Sequence, residues 1–297
     1  TENPACSVES VPVSVNDRTR FIYEAACCGL RDFFVKNGYK KACVGVSGGI
    51  DSAVVACLAV AALGAENVRG LMMPSQFSSE GSVEDAKQLA ENLGIEFHVV
   101  PITEAYRSIV DTLIPVIGGT DFDATEENIQ SRIRTLMLMA LQNKNGYVLL
   151  NCSNKSENAL GICTLYGDTG GAFSVTGDLY KTEMYDLARY INRKFGAPIP
   201  ENILTKEPSS ELRPNQKDSD MLPSYEVVDA ILYRLIEDGQ SREEIINAGF
   251  DSDEVQKIYA MVMRNEKKRF QYPPVLRLSS SSFGHEYRMP LTHKYVK

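Results

Sequence analysis

Ala42-Cys43-Val44-Gly45-Val46-Ser47-Gly48-Gly49-Ile50-Asp51-Ser52 is the stretch on which the reading of this chain turns. Its first five residues form a short apolar run of the kind that fills a buried strand. Two adjacent glycines then let the backbone turn tightly without a Cβ clash. The apolar run Ala53–Leu63 reads as a helix, with Gly64 at its C-terminal cap. Strand, glycine turn and helix start in that order aim backbone N–H groups and a positive helix end at an anion. Ser47 and Ser52 add hydroxyl donors at the same point. Asp51 is the odd member, because a lone carboxylate repels a phosphate. A divalent cation between the two resolves the conflict.

Working outward, a polar leader (1–16) precedes a helix that Asn16 or Asp17 can cap, with Phe21, Ala25, Leu30, Phe33 and Phe34 inward and Gly38 at its end. Val68–Met73 reads as a second strand, Val83–Leu93 as a helix closed by Gly94, and Ile95–Val100 as a third strand. Glu126–Leu141 carries Ile129, Ile133, Leu136 and Ala140 on one helical face, and Tyr147–Leu150 is the next strand. A Gly-rich segment (161–177) precedes a helix from Lys181 to about Phe195. Residues 205–224 read as a long loop, and long loops in compact units are often lids. Helices resume over 225–239, 241–248 and 253–265. Strands alternating with helices at this spacing call for right-handed crossovers and a parallel sheet. The expected fold is α/β: a doubly wound, mostly parallel five-stranded sheet flanked by helices, with a helical C-terminal extension and tail over 225–297.

The 297 residues suffice for a large core in one domain, expected over 1–297. A net charge of −8 argues against a nucleic-acid binder. Seven cysteines without C-x-x-C spacing suit a reducing cytoplasm, not a disulfide or zinc framework. No apolar stretch reaches membrane-spanning length, and no secretory signal is legible.

The loop is not the G-x-x-x-x-G-K-[ST] type, since no lysine follows the glycines. Its S-G-G-x-D-S form resembles the pyrophosphate loop of N-type ATP pyrophosphatases (the adenine nucleotide alpha hydrolase-like fold), which cleave ATP at the α-phosphorus. Asn151-Cys152-Ser153-Asn154-Lys155-Ser156-Glu157, at another strand end, has the composition of a site, and Gly161-Ile162-Cys163-Thr164-Leu165-Tyr166-Gly167-Asp168 follows. With Glu127-Asn128-Ile129-Gln130-Ser131-Arg132-Ile133-Arg134, Lys206-Glu207-Pro208-Ser209-Ser210-Glu211-Leu212 and Glu266-Lys267-Lys268-Arg269-Phe270, the ordered set resembles NAD synthetases, particularly the synthetase portion of the glutamine-dependent type. The resemblance runs from about Thr19 to about Pro290.

That resemblance implies ATP-driven adenylation of the nicotinate carboxylate of deamido-NAD, then attack by ammonia to give NAD and AMP, with Mg²⁺ as cofactor. It implies ATP binding by Gly45, Val46, Ser47, Gly48, Gly49, Ile50, Asp51, Ser52, Cys152, Lys181 and Ser209, with Ser47, Asp51 and Lys181 at the catalytic centre. It implies Asp51 and Glu157 as metal ligands, and deamido-NAD binding by Asn128, Arg132, Arg134, Glu157, Lys267 and Lys268. It also implies a homodimer. Leu165 and Ala172 stand where the ammonia-dependent branch carries Lys and Asp, and Cys152 where a Thr or Ser is frequent.

No glutaminase domain is recognised in these residues, so free ammonium is the expected nitrogen source. The missing initiator Met favours a portion of a longer, glutamine-dependent protein. Taken singly, the same residues have blander readings. Lys155 and Glu157 suit a solvated helix face, the arginines suit surface ion pairs, and Glu237-Asp238 and Glu243-Glu244 suit a solvated surface. Competing functions are a GMP synthetase-like or tRNA-thiolating enzyme, or a non-catalytic nucleotide-binding module.

Overall fold

The computed structural model describes residues 15–118, 121–284 and 286–294, so most of the leader, His285 and the last three residues lie outside it. β1 (Lys41–Gly45) is the middle of a five-stranded sheet, flanked by β2 (Val68–Met72) and β4 (Tyr147–Asn151). β3 (Glu96–Val99) and the two-residue β5 (Phe173–Ser174) complete the order β3-β2-β1-β4-β5. Every neighbouring pair is parallel, with Ala42 opposite Val68 on one side and Val148 on the other. The inner strands are apolar on both faces because helices cover both, whereas β3 at the edge is largely exposed. Ala42, Val44 and Val46 face α1 (Val15–Asn37), α2 (Ile50–Leu63), α3 (Glu80–Leu93) and α7 (Lys181–Phe195). Cys43 and Leu149 face α4 (Thr103–Ile117) and α5 (Ala124–Asn145). The expected doubly wound α/β fold is therefore the observed one.

α2 is buried almost all round from Ile50 to Ala59, so its sequence is apolar without a polar stripe. The chain leaves β1 toward β2 and β3, then returns to lay β4 on β1's other side. The order reverses there, and the carboxyl ends of β1 and β4 open the crevice that such sheets use for ligands.

Several expectations need correction. Asn16 and Asp17 lie inside α1, not at its cap. Phe21 and Ala25 are exposed, and Ile22, Tyr23, Ala26, Cys27, Leu30 and Phe34 form the buried stripe instead. On α5, Leu136 and Ala140 face outward, while Ile129, Ile133 and Leu138 enter the core. The helix is rotated so that Ser131 and Thr135 meet the 164–170 loop. α4 adds a helix to the pattern read above; it carries Pro115 inside and has no side-chain cap.

Beyond the sheet, α9 (Tyr225–Ile236), α10 (Arg242–Asn247) and α11 (Ser252–Arg264) build a second apolar cluster around Val228, Leu232, Ile258 and Val262. α6 (Lys155–Leu160) joins it to the sheet through Ala159 and Leu160. α8 (Glu201–Thr205) and the one-turn α12 (Glu266–Arg269) complete the helices. Lys155 and Glu237, expected to be solvated when read singly, are buried. Lys155 Nζ lies 2.8 Å from Asp178, bonds Glu237, and donates to Ser279 and Ser281, tying α6 to the tail. Among the described residues no helix is long and apolar enough to cross a membrane.

Candidate active site

The loop leaving β1 is shaped by one close approach. Gly48 has φ 79°, and a Cβ there would lie 2.2 Å from the Ser82 carbonyl oxygen at the start of α3. Within the loop the hydroxyls bond locally. Ser52 Oγ accepts from Ser47 N–H at 3.1 Å, Ser47 Oγ accepts from Gly49 N–H at 3.2 Å, and the two hydroxyls are 3.1 Å apart. The N-cap of α2 is Gly49, which has no side chain to bond the first-turn N–H groups. Those donors and the helix's positive end are left to serve an anion.

Beside the loop lies a compact charged cluster. Lys181, the first residue of α7, places Nζ 2.5 Å from Asp51 Oδ2 and 3.3 Å from Glu157 Oε1. Asn154 caps α6 by accepting from Glu157 N–H at 2.9 Å, and its amide donates to Asp51 Oδ1 at 3.0 Å. Burial opposes a charge on Lys181, but Asp51 and Glu157 outweigh it and hold its pKa well above the usual lysine value. Glu157 is pushed up to about 8, chiefly by burial, with Lys181 opposing and Asp51 adding to the rise. Two carboxylates thus share one cation in a poorly solvated corner. An all-oxygen pair of this kind suits a hard divalent ion that completes its shell with water and phosphate oxygens, so the donor set fits Mg²⁺.

Loop and cluster open into a cavity of about 330 Å³. Of the residues singled out for ATP, Gly45, Val46, Ser47, Gly49, Ile50, Asp51, Ser52, Cys152, Lys181 and Ser209 line it, and Gly48 forms the adjacent turn. Burial raises the Cys152 thiol, which is therefore neutral at ordinary pH and a poor nucleophile. Residues 206–212 and Asp218 also line the cavity. Glu211 accepts from Ser79 N–H at 3.2 Å, Ser79 Oγ at 2.8 Å and Ser82 Oγ at 2.7 Å. Lys206 donates to Asp85 and Ser82, and Gln130 to the Leu212 carbonyl at 2.9 Å.

The residues singled out for deamido-NAD divide between two places. Arg134 and Glu157 line the same cavity, and burial lowers Arg134 to about 10 despite Glu211 and Asp168 nearby. Asn128, Arg132 and Lys268 instead gather on the 161–168 loop. Asn128 Oδ1 accepts from Thr164, Arg132 donates to the Leu165 carbonyl at 3.2 Å, and Lys268 donates to the carbonyls of Gly161 and Cys163. Lys267 is exposed on α12 close by.

Sequence reasoning gave no role to Asp168, Lys206, Glu211, Asp218 or Tyr225, all of which line the cavity. The first three sit inside motifs already quoted, which was signal enough. Asp218 and Tyr225 carried none, although the Tyr225 ring centre lies 5.4 Å from Lys181 Nζ.

Residues 22–272 match the family described as NAD synthase. The glutamine-dependent NAD(+) synthetase of Aquifex aeolicus is 52% identical over 276 residues, covering 93% of this chain and 48% of that protein. The solved glutamine-dependent NAD+ synthetase of Acinetobacter baumannii, in complex with adenosine diphosphate, is 41% identical with a TM-score of 0.63, over 96% of this chain and 51% of that one. An NH3-dependent NAD synthetase from Campylobacter jejuni is 30% identical with a TM-score of 0.67, over 84% of this chain and 95% of that one. The chain spans about half the length of the curated relatives it matches.

Proposed function

The chain belongs to the NAD synthase family, and from that premise we propose that it performs the final, amide-forming step of NAD biosynthesis. ATP adenylates the nicotinate carboxylate of deamido-NAD with release of pyrophosphate, and ammonia then displaces AMP. The observation that carries the reading is the meeting of the Ser47–Ser52 loop with the Asp51–Lys181–Glu157 cluster at the β1/β4 crevice.

In the first half-reaction a carboxylate oxygen of deamido-NAD forms a bond to the α-phosphorus. The bond from that phosphorus to the bridging oxygen breaks, and pyrophosphate leaves. The donors at the start of α2, with the hydroxyls of Ser47 and Ser52, receive the leaving group's charge. Lys181 adds a cation held protonated by its carboxylate neighbours. Mg²⁺, held by Asp51 and Glu157, would neutralise phosphate charge. Ser209 and its neighbours over 206–212, which line the cavity, limit access of water, which would hydrolyse the activated acyl group. In the second half ammonia attacks the acyl carbon, a proton leaves the nitrogen, and AMP departs with the former carboxylate oxygen. Arg134 on the cavity wall, with Asn128, Arg132, Lys267 and Lys268 around the 161–168 loop, is the set assigned to the dinucleotide.

Ammonia is the nitrogen donor in this reading. The relatives' name, glutamine-dependent, supports a companion amidase unit in the full protein. The exposed Leu136 and Met139 on α5 suit the face of a homodimer. The six described cysteines are all free thiols, which supports a reducing, cytoplasmic setting. A thiol-transfer alternative finds no support in Cys152 or Cys163, since burial raises both.

The test mixes the chain with ATP, Mg²⁺, deamido-NAD and ammonium. NAD, AMP and pyrophosphate in equal amounts are expected, whereas ADP with orthophosphate, or no amide product, rejects the reading.

A further inference from the structure

The C-terminal helices touch the cavity only at its margin, yet one of their carboxylates reaches the frame that holds the charged cluster. Asp229, on α9, is 5% exposed. One of its oxygens accepts the Ser156 hydroxyl, and the other accepts Thr182 N–H at 2.8 Å. Ser156 Oγ in turn accepts Lys181 N–H at 2.9 Å. The first two N–H groups of α7 have no acceptor within their own helix. Both therefore end on this Ser156–Asp229 pair. Ser156 immediately precedes Glu157, and Lys181 opens α7. A single carboxylate thus fixes the backbone beneath the site's ammonium and beneath one of its acids. One turn earlier on α9, Tyr225 lays its ring against the same ammonium.

The choice of residue is informative. An Asn, Ser or Thr can accept helix N-terminal N–H groups without burying a charge. Burial is the largest influence on Asp229 and pushes it up to about 6; the hydrogen bonds from Ser156 and Thr182 oppose this, and Glu183, of like sign, adds to the rise. A buried carboxylate held by hydrogen bonds and not by an ion pair is costly for the fold. What the carboxylate alone supplies is two acceptors at once, one for each of the elements that carry Glu157 and Lys181.

We propose that Asp229 is a positioning residue for adenylation, holding α6 and α7 so that Lys181 and Glu157 keep the spacing that receives the phosphates. The inference rests on the function proposed above. Asp229 touches no substrate, so its removal acts through the placement of Lys181 and Glu157.

The test is a double-mutant cycle on the intact chain, reading NAD formation from ATP, deamido-NAD and ammonium. Asp229→Asn keeps one acceptor and turns an NH2 group toward the other donor. Its kcat is expected to fall roughly ten- to a hundredfold, as small misplacements of reacting groups do, with KM for ammonium changed less than about threefold. Combined with Lys181→Met, it should cost much less than it does in the wild-type background, because the ammonium it helps to place is already gone. Losses that multiply would show that Asp229 acts on stability or elsewhere, and an unchanged Asp229→Asn kcat would equally overturn the proposal. Should Asp229→Asn not fold, Ser156→Ala takes its place in the cycle with the same expected outcomes. A wild-type chain that forms NAD beside a fully active Asp229→Asn sinks only this inference. A wild-type chain that forms no NAD sinks the function and this inference with it.

Discussion

Replacing Lys181 by Met removes the one ammonium that Asp51 and Glu157 share while keeping most of the side chain's volume. The lysine is 3% exposed, with its nitrogen 2.5 Å and 3.3 Å from the two acids. Removing one partner of a buried pair costs about 3–5 kcal/mol because a buried charge is left unpaired. Here the cost falls toward the lower end, since Glu157 can take up a proton, being already pushed up to about 8 with the lysine in place. A loss of about 3 kcal/mol lowers Tm by roughly 5 °C in a chain of this size. The pH dependence has a definite sign. A carboxylate whose pKa is raised on folding costs stability progressively as pH rises from its unfolded to its folded value, and carries the full penalty above that. Without Lys181 that value rises further, so the variant's deficit against wild type should be larger at alkaline pH than at neutral pH. For activity, losing a charge aimed at the leaving phosphates should lower kcat by about a hundred- to a thousandfold. Thermal melts at two pH values, with steady-state NAD formation, measure all three effects. A variant within about tenfold of wild-type kcat would refute the electrostatic role of Lys181.

Three further outcomes follow from separate contacts. Gly48→Ala places a Cβ 2.2 Å from the Ser82 carbonyl at a positive φ, so loop or α3 must move by most of an ångström; kcat/KM for ATP should drop about a hundredfold, and a change under about threefold contradicts the close approach. Lys155→Met leaves Asp178 and Glu237 buried without their cation, so Tm in scanning calorimetry should fall roughly 5–8 °C, and a fall under about 2 °C contradicts the buried network. Asp229 is raised from 3.8 to about 6, so the wild type loses stability as pH rises through that window. Asp229→Asn does not titrate there, so its stability relative to wild type should improve by up to about 3 kcal/mol between acid and neutral pH in urea titrations. A pH-independent difference would contradict the burial of that charge.

How much of this was legible in the sequence depends on the range of the interactions involved. The loop, the inner strands and the start of α7 at Lys181 are local patterns, and each stands where its pattern put it. Failures came where a distant partner decides. Leu136 and Ala140 fit a helical stripe with Ile129 and Ile133, but the turn of α5 is set by Ser131 and Thr135 bonding to a loop some thirty residues on. β5 is two residues long and is held by β4 and the tail, so it has no period to read. Lys155 and Glu237 have the residue types of a solvated surface, and only their meeting across the fold buries them. The site was legible in part for the same reason. Asp51, Glu157 and Lys181 stand in recognisable motifs, whereas Asp218, Tyr225 and Asp229 reach it from helical surroundings without a local signature.

The most direct test follows one oxygen atom. Deamido-NAD labelled with heavy oxygen in its nicotinate carboxylate is converted with ATP and ammonium, and the nucleotide products are weighed by mass spectrometry. If the carboxylate attacks the α-phosphorus, one labelled oxygen appears in AMP and none in pyrophosphate. Label in orthophosphate beside ADP, or AMP that carries none, would contradict the central claim.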